Sequence, residues 1–176
     1  MRDPGGEPPP EAYGRVSDPE RFRILHQQVY ELILDLLRSY AVEPTMDPAV
    51  WRHEGAEVLR LVPASDLAAE LSFRLTDFPG VVVRFGRWHE ESYPACGCDA
   101  CDEDPDHLFE DLRQKVGSLV DGRFSEHVRA GLNPWFNYDF GDRSGGGQLD
   151  GQTAREWRRH GARTDWRGWA SRAGCP

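Results

Sequence analysis

Three of the four cysteines in this 176-residue chain fall within six residues, Cys96-Gly97-Cys98-Asp99-Ala100-Cys101. Thiolates bind soft and borderline metals, and Zn²⁺ takes four N or S ligands at about 2.0–2.3 Å. Cys98-x-x-Cys101 is a spacing at which two sulfurs grip one ion, and Gly97 permits the tight bend that brings in Cys96. The spacing therefore predicts a Zn site held by Cys96, Cys98 and Cys101, with His107 as the expected fourth ligand. His89, ahead of the block, and Cys175, the penultimate residue, are the other candidates for that position. Uncoordinated or bridged thiols are the plainer alternative, and a redox dithiol is the third.

Catalysis is harder to assemble from these residues. A redox CxxC opens a helix directly, whereas here Asp102-Glu103-Asp104 stand between Cys101 and the predicted helix. Neighbouring carboxylates are expected to raise the thiol pKa values and to disfavour a reactive thiolate. His89-Glu90-Glu91 before Pro94 and the cysteines is too closely spaced for a zinc deaminase pattern. Tyr93 stands where a metallopeptidase H-E-x-x-H needs its second His, and the acidic residues lack the spacing and Gly of an EF-hand. His26, His53, His127 and His160 are isolated in the sequence, and Asp139 and Asp142 read as outward-facing strand and turn residues. No nucleophile–base–orienter set can be put together, so the sequence makes no claim to an enzyme.

The cysteine block sits in a charged segment. Residues 90–111 hold nine acidic residues and no Lys or Arg, and the remainder of the chain carries 21 of each sign. The formal charge of −9 thus belongs to this one stretch. Twenty of the 21 basic residues are Arg, scattered along the chain, with Lys115 the single lysine. A negative balance without a basic patch argues against nucleic acid as a partner and leaves a protein or a small molecule. The N-terminus has no apolar signal-peptide core, and no apolar run approaches the length of a membrane span. Clustered cysteines without an export signal point to a reducing, cytoplasmic setting.

The elements that must position this loop follow from periodicity. Residues 1–16, rich in Pro and Gly, read as a disordered leader, and residues 17–176 as a single α+β domain. Ser17-Asp18-Pro19-Glu20 signals a helix start, and Phe22, Leu25, Val29, Leu32, Ile33, Leu36 and Tyr40 recur at helical spacing. Pro44 and Pro48 close this segment, followed by a loop with Trp51 and His53. Period-two alternation over residues 57–62, 70–76 and 81–88 predicts a three-stranded antiparallel meander. A second helix starts near Pro105, capped by Asp104 or Asp106, with Leu108, Leu112, Val116 and Leu119 inward. Residues 124–130 are expected to resume that helix after Gly122, and residues 135–140 to form a fourth, aromatic strand. Ser144-Gly145-Gly146-Gly147 reads as a flexible loop before a short C-terminal helix near residues 153–160. The last 25 residues carry six Arg with Trp157, Trp166 and Trp169, and are expected to pack on the domain against the acidic segment.

Four blocks carry a resemblance: Ala12-Tyr13-Gly14-Arg15-Val16 with Asp18-Pro19-Glu20-Arg21-Phe22; Phe78-Pro79-Gly80 through Arg84-Phe85-Gly86-Arg87-Trp88-His89; Pro94-Ala95-Cys96-Gly97-Cys98-Asp99-Ala100-Cys101-Asp102-Glu103; and Asp165-Trp166-Arg167. On these the chain resembles a bacterial domain-of-unknown-function family common in high-GC lineages. The resemblance spans most of the chain and implies no catalytic residues. The residues thus point to a small binding or regulatory module with a structural Zn site, and otherwise to an enzyme or thiol-redox protein using the same loop.

Overall fold

The computed structural model describes residues 8–46, 58–159 and 161–172. Trp51, His53, His160 and Cys175 lie outside the described residues, as does the predicted leader's first part. A 3₁₀ turn, Pro19–Arg23, leads into α1, Ile24–Ser39, which buries Leu25, Val29, Ile33 and Leu36. Asp18 stands at the N-cap with Pro19 after it, but its side chain makes no cap bond, and Ser17 turns to Asp99 of the cysteine loop.

Five strands follow in one antiparallel sheet of order β1-β2-β3-β4-β5: β1 Val42–Met46, β2 Val58–Pro63, β3 Leu71–Leu75, β4 Val81–Phe85 and β5 His89–Tyr93. The expected three-stranded meander is thus extended at both ends. Pro44, read as a terminator, lies inside β1 opposite Leu61, which an edge strand tolerates because only one side of its backbone is paired. The expected strand over residues 81–88 divides at Gly86, whose φ of +65° starts a turn. Phe85 then pairs with His89, and β5 runs back along β4. On the inner face Leu71, Phe73, Val81, Val83 and Phe85 are buried.

Helix α2, Pro105–Val120, starts where expected: Asp104 caps it, accepting from the Asp106 and His107 amides, and Leu112, Val116 and Leu119 are buried. The chain then makes a second antiparallel sheet of order β8-β7-β6-β9, from β6 Ser125–Arg129, β7 Trp135–Asp139, β8 Ser144–Gln148 and β9 Arg163–Asp165, with α3, Gly151–Arg158, between β8 and β9. Two expectations fail here. Residues 124–130 do not resume the helix; Glu126 and Val128 face inward in β6, and a charged inward residue had broken the alternating apolar signal. The glycine run is not a loop but β8, paired along its length with β7. The side chains of Trp135, Asn137 and Tyr138 occupy the space where Cβ atoms of Gly145 and Gly146 would stand.

One apolar cluster joins α1, α2, inward residues of the first sheet, Phe124, Phe140, Trp166 and Trp169. Phe140 packs edge-on to Phe85 at 5.1 Å and stacks on Phe124 at 4.7 Å, so the aromatic rings hold the two sheets together. Trp169 donates its indole N–H to Ala69 O at 2.8 Å, and Trp157 stacks on Trp88 in a second cluster. Among the described residues the tail's arginines do not meet the acidic segment as expected. Arg163 pairs with Asp165, and Arg172 reaches the carbonyls of Tyr40 and Val42. Among the described residues the acidic segment is met from elsewhere, by Arg15, Arg21, Arg84, Arg113, Lys115 and Arg143 among others. Among the described residues no helix is long and apolar enough to cross a membrane.

Candidate metal centre

The cysteine loop is suspended between β5, which ends at Tyr93, and the first turn of α2. Its backbone is folded around one carboxylate. Glu103 accepts from the amides of Ala95 (2.9 Å), Cys96 (3.1 Å) and Gly97 (2.6 Å), satisfying three successive N–H groups. Gly97 has φ +74°, and a Cβ there would stand 2.8 Å from the Phe78 ring, so both conformation and space require glycine. The Asp102 amide closes the other end of the loop on Cys98 O at 3.2 Å, and Asp102 itself takes the left-handed region at φ +47°.

This folding gathers the three sulfurs. The Sγ atoms of Cys96, Cys98 and Cys101 all lie within 4.8 Å of one another, with Cys98 buried and the other two exposed. Cys98 Sγ is 3.5 Å from Cys101 Sγ. A tetrahedral ion with metal–sulfur bonds of about 2.3 Å sets its sulfurs about 3.8 Å apart, so three thiolates can share one ion with only small side-chain rotations. Among the described residues the group consists of these three thiols; neither histidine belongs to it. His107 is exposed in the first turn of α2, its backbone amide on Asp104. His89 is buried in β5, its Nε2 2.8 Å from Glu91 and its ring stacked 3.6 Å from that of Tyr138.

The electrostatics of the loop differ from the sequence expectation. The Cys98 thiol is pulled down to about 6, first by the Cys101 N–H, then by the Cys96 thiol and the Gly14 N–H. Cys101 is pushed up to about 12 by its neighbours Cys98 and Cys96. The loop's carboxylates turn to other partners: Asp99 to Ser17 and Arg15, Glu103 to loop amides, Asp104 to the helix N-terminus. A sulfur lowered by N–H and S–H donors suits a metal thiolate, which amides commonly support.

Two further polar centres lie away from the cysteines. Glu91 accepts from Tyr93 Oη at 2.5 Å, pairs with Lys115 and touches His89, while Asp111 bridges Lys115 (2.7 Å) to Arg143. The sequence did carry a signal for this network, since Lys115 is the chain's single lysine and stands four residues after Asp111 on one helix face. Glu126, fully buried, accepts from the amides of Arg87 (3.1 Å), Trp88 (2.9 Å) and His89 (3.0 Å) and from the Trp166 indole (3.1 Å). Burial raises its carboxyl above the ordinary range against the pull of those donors. Nothing in the spacing around Glu126 announces this role.

A model of a family of unknown function, DUF6226, matches residues 1–173. The chain belongs to this family. The match agrees with the resemblance drawn from the sequence blocks, and it takes in the cysteine loop, the Glu91 network and Glu126 alike. No curated protein and no solved structure matches this DUF6226 chain.

Proposed function

We propose that the protein is a small binding or regulatory module whose cysteine loop is braced by a structural Zn²⁺ ion. The chain from the residues that dock on the cysteine loop onward works as one folded unit in the cytoplasm, and the surface around the loop meets a protein or small-molecule partner. The observation that carries this reading is the gathering of three sulfurs within 4.8 Å on a backbone already tied down by Glu103. Cys96, Cys98 and Cys101 would hold the ion and supply it with thiolate charge, and a bound metal adds its binding free energy to that of folding. The fourth position falls to His107, an exposed side chain in the first turn of α2, or to Cys175. His89 is the weakest of the three candidates, because leaving its place would break its contacts with Glu91 and Tyr138.

Metal analysis of protein purified without chelator tests the reading. Close to one Zn per chain is expected, lost in the Cys96→Ser, Cys98→Ser, Cys101→Ser triple variant. Metal-free protein whose three thiols alkylate freely sinks it. The 3.5 Å approach of Cys98 Sγ to Cys101 Sγ favours a second reading, a redox dithiol. In that case the pair would give two electrons and two protons to an oxidised disulfide partner. Metal-free protein with a reversible Cys98–Cys101 bridge is its signature.

A further inference from the structure

Residues 12–17 run along the cysteine loop and are tied to it through one residue pair inside the Cys98-x-x-Cys101 turn. The Asp99 amide donates to Arg15 O at 2.8 Å and the Ala100 amide to Ala12 O at 3.2 Å. The Asp99 carboxylate accepts from Ser17 N (2.8 Å), Ser17 Oγ (2.6 Å) and Arg15 Nε (2.8 Å). Arg21 adds an ion pair with Asp102 at 3.6 Å. Asp99 is mostly covered, with 13% of its side chain exposed, whereas Arg15 stays 60% exposed; the clasp therefore has a shielded acceptor and a solvated cation. Ala12 is buried beneath this contact. Gly14, between Ala12 and Arg15, takes the left-handed region at φ +77°.

The two x residues of the metal-gripping turn are thus the residues that hold the N-terminal segment. The backbone that docking fixes at Asp99 and Ala100 is the one from which the Cys98 and Cys101 side chains reach an ion, so holding one holds the other. We propose that residues 12–17 form an outer shell of the metal centre, clasped by Asp99, so that metal binding and docking of this segment are coupled. The inference rests on the metal reading above. Coupling of this kind is reciprocal: whatever factor docking adds to metal affinity, metal adds to docking. Hydrogen-bonding partners one shell out from a metal change its affinity by roughly 10- to 100-fold. Asp99 is a positioning residue here; it reaches the ion only through the turn it belongs to.

The full chain tests this with Co²⁺ as a spectroscopic probe and Zn²⁺ in chelator competition. Asp99→Ala is expected to keep the sulfur-to-cobalt absorption band and one metal per chain, while weakening Zn²⁺ about tenfold or more. Ser17→Ala, remote from the sulfurs and removing one clasp bond, is expected to shift affinity the same way by a smaller factor. Tryptic cleavage after Arg15 is the second readout: slow in Zn-loaded wild type, faster on chelation, and fast in Asp99→Ala even with Zn²⁺ present. Unchanged affinity in both variants, or cleavage after Arg15 that ignores the metal, overturns the coupling while leaving the metal site standing. A wild-type chain that binds neither ion overturns the metal site and this inference together.

Discussion

Burying a carboxylate costs several kcal/mol unless its oxygens are fully hydrogen-bonded, and Glu126 meets that condition with four N–H donors. Three are successive amides where the turn after β4 enters β5, and the fourth is the Trp166 indole, so one side chain ties the first sheet, the second sheet and the C-terminal segment together. Gly86 is required beside it, since a Cβ there would stand 2.6 Å from Glu126 Oε2. Glu126→Gln brings an NH₂ group against two of these donors and leaves at least one amide without an acceptor. A loss of about 2–3 kcal/mol is expected in urea denaturation, with no change in metal content. A variant as stable as wild type would show that the turn does not depend on this carboxylate.

Helix α2 is held to β5 and to the β7–β8 turn by charges as well as by Leu112 and Val116. Lys115 lies between Glu91 and Asp111, and Asp111 in turn holds Arg143. Although burial alone would raise it, the Glu91 carboxyl is lowered to about 2 by its bonds with His89, Lys115 and Tyr93. The folded-state value lies below the ordinary 4.5, so this contribution is complete above about pH 4.5 and is lost as pH falls toward 2. The shift corresponds to stability on the order of 3 kcal/mol for a group this well covered. Glu91→Gln is therefore expected to be less stable than wild type at pH 7. The gap should narrow steadily as both are titrated from pH 5 to pH 2.5. A gap that is constant with pH would mean the Glu91 charge does not stabilise the fold.

Across the molecule, the segment after α3 is the part whose role is most out of proportion to its length. Trp166 and Trp169 are both inserted in the main apolar cluster, and the backbone around them bonds to Phe124, Val120 and Leu67. Removing a buried aromatic side chain costs about 3–5 kcal/mol. Losing two, together with strand β9, reaches the whole stability of a typical domain, about 5–15 kcal/mol. Truncation after Gly151 should therefore leave a chain without cooperative unfolding in near-ultraviolet circular dichroism. A truncated chain that still melts cooperatively near the wild-type temperature would contradict this packing.

The amphipathic helices, the middle of the meander and the cysteine loop were legible in the order of residues, because each depends on local spacing: heptad-like apolar recurrence, alternation, a Pro-led helix start, sulfurs two and three residues apart. What that order left undetermined was everything resting on contacts distant in sequence. Strand β6 was obscured by an inward Glu whose partners lie 37 to 40 residues away. Strand β8 was hidden because glycine's local preference is for loops, and pairing with β7 overrides it. Ser17, a good local helix cap, was captured by Asp99 from 82 residues away. At the cysteines the sequence determined which atoms could bind a metal. The fold determined what surrounds each sulfur, and it set the Cys101 N–H and the Cys96 thiol on Cys98, so that this thiol is lowered in the middle of the most acidic stretch.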